Sequence, residues 1–174
     1  MSIAIVLGTS RKNGNTSALV NEFANITGAT IFPLSDFSIL PFDYEFKNKS
    51  DDFSSLINQV IEHDIIMFAS PVYGYSPSAQ MKIFMDRLSD LLKINKSIGR
   101  QLRGRVAGVI STGSDQYPKD CFEQIFCCTF DYLGLDYLGM LYCDCDDDFS
   151  KEKHKSKIIN FCARNEYFKD DDGT

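Results

Sequence analysis

The sequence predicts an α/β protein built on a doubly wound, five-stranded parallel sheet with helices on both faces. Five short apolar runs rich in β-formers alternate with five segments whose apolar residues recur at helical spacing. Such alternation is typical of parallel sheets covered by helices on both faces. The runs Ile3–Leu7 and Ile65–Ala69 are apolar without interruption, which indicates strands buried on both sides.

The predicted elements follow one another without a long linker. The strands are expected at Ser2–Leu7, Ala29–Leu34, Asp64–Ala69, Val106–Ile110 and Leu135–Tyr142. The helices are expected at Asn15–Thr27, from Asp51 or Asp52 to Ile61, and at Pro77–Leu92, Asp120–Leu133 and Ser150–Phe168. An Asp suits the N-cap of the second helix, and Pro77 suits the first turn of the third. The stretch Ser35–Ser50 has no apolar period, so we expect a loop there.

Length, charge and hydropathy limit the kinds of protein that this chain can be. Its 174 residues fit one domain, which we expect over residues 1–169 with an acidic tail at 170–174. The net charge of −6 argues against a nucleic-acid partner, which would need a basic face. No run approaches the ~18 apolar residues of a membrane span, and the N-terminus lacks a secretory signal. We therefore expect a cytoplasmic protein with six reduced cysteines.

The expected topology predicts where a ligand would bind. In open parallel sheets, ligands bind outside the carboxyl ends of the strands, at the point where the strand order reverses. For the strand order 2-1-3-4-5, that point lies between the first and third strands. The loops that follow Leu7 and Ala69 are therefore the expected site.

The loop Gly8–Ser17, GTSRKNGNTS, has the residue types of an anion site. It holds two Gly, two Asn, four Ser or Thr, one Arg and one Lys, and it ends at a predicted helix N-terminus near Asn15. Backbone N–H groups and the helix dipole favour an anion there. The glycine spacing fits neither a Walker A loop nor a dinucleotide fingerprint. We interpret this loop as a phosphate cradle, and a solvated, capped loop is the alternative.

Two further loops follow the third and fourth strands. Ser70–Ser78, SPVYGYSPS, offers two tyrosine rings, and Gly74 lets the backbone approach a ring closely. Ser111–Pro118 places small polar residues and Gly113 at the end of the fourth strand. An anion site with a flat-ring site beside it suggests a mononucleotide. A rigid turn with surface tyrosines is the alternative interpretation of the second loop.

The stretches GTSRKNGNT and SPVYGYSPSAQMKIFMDRL resemble the NAD(P)H-dependent FMN reductase and quinone reductase family, whose members are flavodoxin-like flavoproteins. The resemblance extends over residues 2–92 and implies FMN as cofactor and NAD(P)H as co-substrate. It assigns the FMN phosphate to the first loop, through Ser10, Arg11, Asn15 and Thr16. Asn13 and Ser17 are further candidate donors because their polar side chains belong to the same loop. It assigns the isoalloxazine ring to the other two loops, through Pro71, Val72, Tyr73, Gly74, Ser111, Thr112 and Gly113.

The resemblance also implies an activity, hydride transfer from NAD(P)H to a quinone, a flavin or a similar acceptor. The flavin supplies that chemistry, so no catalytic side chain is required. A flavodoxin-like electron carrier and a nucleotide-binding regulator without turnover are the alternatives. Members of the family often form dimers or tetramers through the helix that is here Pro77–Leu92. One branch carries an iron–sulfur cysteine cluster after the second strand, but Ser35–Ser50 contains no Cys, so we expect no metal.

The cysteines are expected to be dispensable for the chemistry, because none lies in the three strand-end loops. Cys127 and Cys128 fall in an apolar helical segment and are expected to pack as small buried hydrophobes. Cys143 and Cys145 share one face of a strand end, where a metal site or a redox pair is the less favoured alternative.

The remaining polar residues that we considered are expected to lie on the surface. His63 and His154 are adjacent to no nucleophile motif, and we expect both to be solvated. Helical spacing predicts helix-surface ion pairs among Lys82, Asp86 and Arg87.

Overall fold

The computed structural model describes residues 1–146 and 148–168 of the chain, and the predicted tail at 170–174 lies outside the described residues. Five parallel strands form one sheet in the order β2-β1-β3-β4-β5. Their bounds are β1 Ile3–Leu7, β2 Thr30–Pro33, β3 Ile65–Pro71, β4 Val106–Gly113 and β5 Asp136–Asp144. This confirms the predicted flavodoxin-like, doubly wound sheet.

Seven helices of the described chain flank the sheet. They are α1 Asn15–Thr27, α2 Phe53–Val60, α3 Ala79–Arg87, α4 Asp90–Lys93, α5 Lys96–Leu102, α6 Asp120–Leu133 and α7 Lys151–Arg164. Short 3₁₀ turns follow β2 at Leu34–Asp36 and α7 at Glu166–Phe168. The sequence analysis did not predict α5.

The prediction of one helix over Pro77–Leu92 is wrong. The helix α3 starts after Ser78, whose hydroxyl accepts the N–H of Met81 at 3.2 Å, and it ends at Arg87. Backbone hydrogen bonds to the third preceding residue, rather than the fourth, then form a turn. One of them is the Leu88 N–H donating to the Met85 carbonyl at 3.2 Å. The side chain of Arg87 folds inward over this turn and binds Asp90, which begins α4.

The predicted last helix, Ser150–Phe168, is too long by one turn. The helix α7 ends at Arg164, and Asn165 is extended, with its side-chain amide donating to the Phe161 carbonyl at 2.8 Å. This break returns the chain toward the sheet, where the ring of Phe168 lies 5.9 Å from that of Phe23. Packing of the half-buried Phe168 against Phe23 favours the break over a longer helix.

Two hydrophobic clusters fill the two faces of the sheet. The face covered by α2, α3 and α6 is rich in phenylalanine, and the ring centroids of Phe68 and Phe130 are 4.9 Å apart. The other face is covered by α1 and α7, with Leu19, Phe23 and Ile158 in its core. The residues of β1 and β3 are buried throughout, as the continuous apolar runs predicted.

The carboxyl ends of β1 and β3 and the start of α3 are held together by close contacts. Gly8 N–H donates to the Ala69 carbonyl at 2.8 Å, and the Gly8 carbonyl accepts the Ser78 hydroxyl at 2.7 Å. A Cβ atom at Gly8 would lie 2.7 Å from the Cβ of Met81, so glycine is required for α3 to start here. These contacts bring the first two predicted loops to one edge of the sheet.

Candidate functional site

A cavity of about 170 Å³ opens at this edge of the sheet. Its wall comes from the first loop, the ends of β3 and β4 and the residue after β5. The lining residues are Thr9, Arg11, Gly14, Asn15, Thr16, Pro71, Val72, Tyr73, Thr112, Gly113, Ser114 and Cys145. The predicted switch point and the three predicted loops therefore meet in one place.

The N-terminus of α1 faces this cavity with its first turn uncapped by a side chain. Gly14 is the N-cap residue, with extended backbone at φ −96° and ψ 176°, and it makes no side-chain cap hydrogen bond. The first turn holds no acidic residue. Backbone N–H groups at such an end have no partner within the helix, and the helix dipole adds positive potential. The geometry therefore suits an anion such as a phosphate.

Two threonine hydroxyls join the helix to the sheet at the cavity wall. The Oγ1 atoms of Thr16 and Thr112 are 2.7 Å apart, and both residues are nearly fully buried. Thr112 faces α1 because the side chains of β4 alternate between the two faces of the sheet. The pair fixes the first turn of α1 against the end of β4.

The first loop positions Arg11 beside the same cavity. The Arg11 carbonyl accepts the Gly14 N–H at 3.3 Å and the Ser17 hydroxyl at 3.2 Å, which closes the loop on itself. The Ser10 hydroxyl lies 3.0 Å from the Tyr73 hydroxyl, so the first and second loops contact directly. The Asn15 side-chain oxygen accepts the Phe149 N–H at 3.0 Å.

A second cavity, of about 300 Å³, adjoins the first and shares part of its wall. Its lining residues are Val72, Gly74, Tyr75, Gly113, Ser114, Asp115, Pro118, Lys119 and Tyr142. The turn that carries the two tyrosines has left-handed backbone at Gly74, with φ 54°, and at Tyr75, with φ 64°. A Cβ atom at Gly113 would lie 2.8 Å from the Tyr142 hydroxyl, so the backbone is exposed to the cavity only because this residue is glycine.

Tyr142 lines this second cavity, and its hydroxyl acts as a hydrogen-bond donor. Its hydroxyl donates to the Asp115 carbonyl at 2.6 Å. Burial, together with the nearby carboxylates of Asp115 and Asp144, raises the pKa of Tyr142 to about 12. The phenol therefore stays protonated at neutral pH and holds the loop after β4 in place.

The predicted site residues fall into two groups. Eight line the first cavity, namely Arg11, Asn15, Thr16, Pro71, Val72, Tyr73, Thr112 and Gly113, and two of these, Val72 and Gly113, also line the second cavity. Ser10 contacts Tyr73 from outside that wall, Gly74 lines only the second cavity, and Ser17 lines a separate groove beside Asp36. Asn13 is exposed in the loop.

Ser111 is turned away from both cavities. It is fully buried, and its hydroxyl has no hydrogen-bond partner among the described residues. Because side chains alternate along a strand, Ser111 faces the phenylalanine-rich cluster while its neighbour Thr112 faces α1. At this position the strand contributes backbone to the site edge rather than a side chain.

Cys145 is a cavity residue that the sequence analysis did not place at the site. It follows β5, its N–H donates to the Gly113 carbonyl at 2.8 Å, and its side chain reaches the first cavity. The three loops of the prediction hold no cysteine, as stated, but a fourth strand end contributes one. The signal available was the position of Cys145 directly after a predicted strand.

Three expectations about side chains near the sheet are wrong. His154 is 1% exposed rather than solvated, because α7 packs it against Phe149 with the two rings stacked at 5.3 Å. Cys128 is exposed on α6, outside the apolar stripe that faces the sheet. Arg87 is buried between Asp51 and Asp90, whereas the exposed pair Lys82 and Asp86 forms as predicted at 2.6 Å.

The described residues contain no group of three or more His, Cys, Asp or Glu side chains arranged to hold a metal ion. Within the same part of the chain, no helix has the length and apolar character to cross a membrane. Asp144, at the end of β5, is bound by Lys153 at 2.8 Å and Lys157 at 2.6 Å. These hydrogen bonds hold the pKa of Asp144 well below its usual range.

The sheet order, the uncapped helix end and the two adjoining cavities together define a flavodoxin-like protein with a site of the mononucleotide type. The family model of NADPH-dependent FMN reductases matches residues 1–121, and the chain belongs to that family. This match confirms the family resemblance that the two sequence motifs indicated.

One sequence relative agrees with the family match, and two solved structures share the fold. A putative NAD(P)H-dependent FMN-containing oxidoreductase, YwqN of Bacillus subtilis, is 29% identical over 154 residues, which cover 80% of this chain and 82% of that protein. The structure of the Trp repressor binding protein from Bacillus subtilis matches with a TM-score of 0.74 and 23% identity, covering 97% and 99% of the two chains. An FMN-dependent NADH-azoreductase from Bacillus anthracis matches with a TM-score of 0.69 and 13% identity, covering 92% and 96%.

Proposed function

We propose that this protein is an FMN-dependent oxidoreductase that transfers hydride from NAD(P)H to a quinone, a flavin or a similar small acceptor. The observation that carries the proposal is the uncapped N-terminus of α1, which opens into a polar cavity directly beside a larger cavity suited to a flat ring. FMN has an anionic phosphate at one end and a planar isoalloxazine at the other. Membership of the NADPH-dependent FMN reductase family supports the same cofactor.

In this proposal, the FMN phosphate lies in the first cavity. Backbone N–H groups of the first turn of α1 and the Thr16 hydroxyl donate to it, and Arg11 supplies positive charge. The Ser10 hydroxyl lies 3.0 Å from the Tyr73 hydroxyl, so Ser10 links the loop that would hold the phosphate to the loop that would hold the ring. Ser17 acts on the loop rather than on the ligand, because its hydroxyl donates to the Arg11 carbonyl.

The isoalloxazine ring would lie in the second cavity. The turn after β3 presents Val72 and Gly74 to one side, and Gly113 at the end of β4 presents bare backbone to the other. FMN supplies the hydride-accepting chemistry when bound, so no side-chain acid or base is needed. Tyr75 is 58% exposed and Tyr73 is 43% exposed, so neither ring closes the cavity against a second planar molecule. That openness favours a reductase over a sealed electron carrier.

A second copy of the chain is proposed to dock on α3, as the family resemblance implied for Pro77–Leu92. A groove of about 270 Å³ runs between α3 and α6, with Met85, Leu88, Ile125 and the exposed ring of Tyr132 in its wall. Sedimentation equilibrium would detect a dimer or tetramer. We expect Tyr132→Glu to shift that equilibrium toward the monomer, and an unchanged molecular weight would contradict this interface.

The cofactor assignment is tested by titrating the protein with FMN and following the quenching of flavin fluorescence. Charge-assisted hydrogen bonds contribute about 1.5–3 kcal/mol each, so Arg11→Ala and Thr16→Ala should each weaken FMN about ten- to a hundredfold. Riboflavin, which lacks the phosphate, should bind much more weakly than FMN. Lys12→Ala is the matched control, because Lys12 is the adjacent cation but pairs with Asp36 outside the cavity.

Parent-like titration curves for both variants would refute the phosphate assignment. The activity is tested separately, by mixing the FMN-loaded protein with NADH or NADPH without oxygen. Bleaching of the flavin absorbance within seconds, and its recovery on adding a quinone, are the expected results. If dithionite reduces the flavin but neither nucleotide does, the protein is an electron carrier and the proposed activity is wrong.

A further inference from the structure

Cys145 lies in the wall of the first cavity and contacts a buried histidine that is not part of that wall. Its Sγ atom is 4.0 Å from Nε2 of His154, and the histidine is 1% exposed. The other ring nitrogen, Nδ1, has no hydrogen-bond partner among the described residues. Thr16 and Thr112 line the same cavity as the thiol. The Cys145 thiol therefore contacts a buried base and also lines a ligand cavity.

The surroundings keep both partners uncharged at neutral pH. Burial raises the pKa of the Cys145 thiol, and the Asp144 carboxylate raises it further. Burial lowers the pKa of His154, and the ammonium groups of Lys157 and Lys153 lower it further. A neutral imidazole has one ring nitrogen with a free lone pair, which can accept a proton from the thiol.

We propose that Cys145 is a site of reversible modification by small disulfides, and that its modification and the occupancy of the first cavity exclude each other. This inference rests on the proposed function in so far as FMN is the occupant. A group attached to Cys145 would extend into a cavity of only about 170 Å³, where the phosphate would otherwise lie. The modified protein would therefore not hold its cofactor.

The reaction is a thiol–disulfide exchange that needs no external base. The Cys145 thiol gives its proton to Nε2 of His154 as the sulfur attacks one sulfur of the small disulfide. The new bond joins Cys145 to half of the reagent, the original disulfide bond breaks, and the other half leaves as a thiolate. That thiolate takes the proton from His154 and departs as a thiol. The exchange needs no further oxidant or reductant, because the Cys145 sulfur is oxidised as the leaving sulfur of the reagent is reduced by the same amount.

The test treats the protein with hydroxyethyl disulfide and maps the adduct at each cysteine by mass spectrometry. Cys145 should be modified in the FMN-free protein and protected by saturating FMN. Cys128, which lines the α3–α6 groove of the proposed dimer and neither of the two FMN cavities, is the internal control. At protein concentrations low enough to keep the chain monomeric, it should react equally with and without FMN. The modified protein should lose saturable FMN binding, and dithiothreitol should restore it.

Two variants separate the roles of the pair. In Cys145→Ser, FMN affinity should be the same before and after treatment with the disulfide. His154→Gln should slow modification at Cys145 about a hundredfold while leaving the rate at Cys128 unchanged. If His154→Gln does not fold, as judged by circular dichroism, the protection experiment on the parent protein decides alone.

The outcomes distinguish this inference from the proposed function. If FMN binds but does not protect Cys145, or if the modified protein still binds FMN, the modification site is refuted and the cofactor assignment stands. If FMN does not bind at all, the proposed function fails. Protection is then measured with inorganic phosphate, whose failure to slow modification at Cys145 would refute the coupling between thiol and cavity as well.

Discussion

Replacing Arg87 by Met should lower the free energy of unfolding by about 3–5 kcal/mol, because it breaks a buried ionic network. The Arg87 side chain is 2% exposed, and its partners Asp51 and Asp90 are 4% and 7% exposed. Nε donates to Asp90 at 2.9 Å, and the remaining donors reach Asp51 and the carbonyls of Leu40 and Asn48. Methionine keeps the apolar stem but leaves two carboxylates buried without their cation.

Urea unfolding followed by circular dichroism measures this loss. With an m value of about 2 kcal/mol/M, the midpoint should fall by about 1.5–2.5 M. Lys82→Met is the matched control, since it removes a cation from the same helix whose partner Asp86 is exposed. That control should cost at most about 1 kcal/mol. Equal midpoints for the two variants would refute the view that Arg87 holds the loop before α2 against α3.

The pH dependence provides an independent check on the same network. Burial alone would raise the pKa of Asp51, but hydrogen bonds from Arg87 and from the N–H groups of Leu40 and Phe53 bring it below its ordinary value. The stability from this group is therefore present above about pH 4 and is lost as the pH falls through the folded-state pKa. In Arg87→Met the unpaired, buried Asp51 has a raised pKa, so lowering the pH relieves its penalty. The gap between the two proteins should narrow between about pH 6 and pH 3, and a constant gap would contradict this reasoning.

Two further substitutions test the edge of the sheet that carries the site. Gly8→Ala places a Cβ atom within 2.7–2.9 Å of three Met81 atoms, two of them backbone. It should lower the free energy of unfolding, measured with urea, by about 1–3 kcal/mol. A change within experimental error would show that α3 can move to accept the methyl group. Thr112→Val keeps the side-chain shape but removes the hydroxyl 2.7 Å from Thr16, and should weaken FMN about three- to tenfold in fluorescence titration. An FMN affinity equal to that of the parent would remove Thr112 from the phosphate site.

The sequence by itself was sufficient for the sheet and for the edge of the sheet at which the two cavities open. Continuous apolar runs at Ile3–Leu7 and Ile65–Ala69 indicated buried parallel strands, because only strands covered on both faces need no polar alternation. The loop Gly8–Ser17 could be interpreted as an anion site because helix ends present free N–H groups whatever the rest of the fold. These inferences depend on the chemistry of neighbouring residues and on an alternation of strands and helices that few folds other than the doubly wound sheet share.

The limits of helices and the surroundings of single side chains were decided by tertiary packing. The helical period at Pro77–Leu92 carries no sign that Arg87 turns inward to Asp51, a residue 36 positions away in sequence. In the same way, His154 and Cys145 meet only because α7 packs beside the end of β5. Local spacing specifies which residues share a face of one element, but burial and partners are set by contacts between elements distant in sequence.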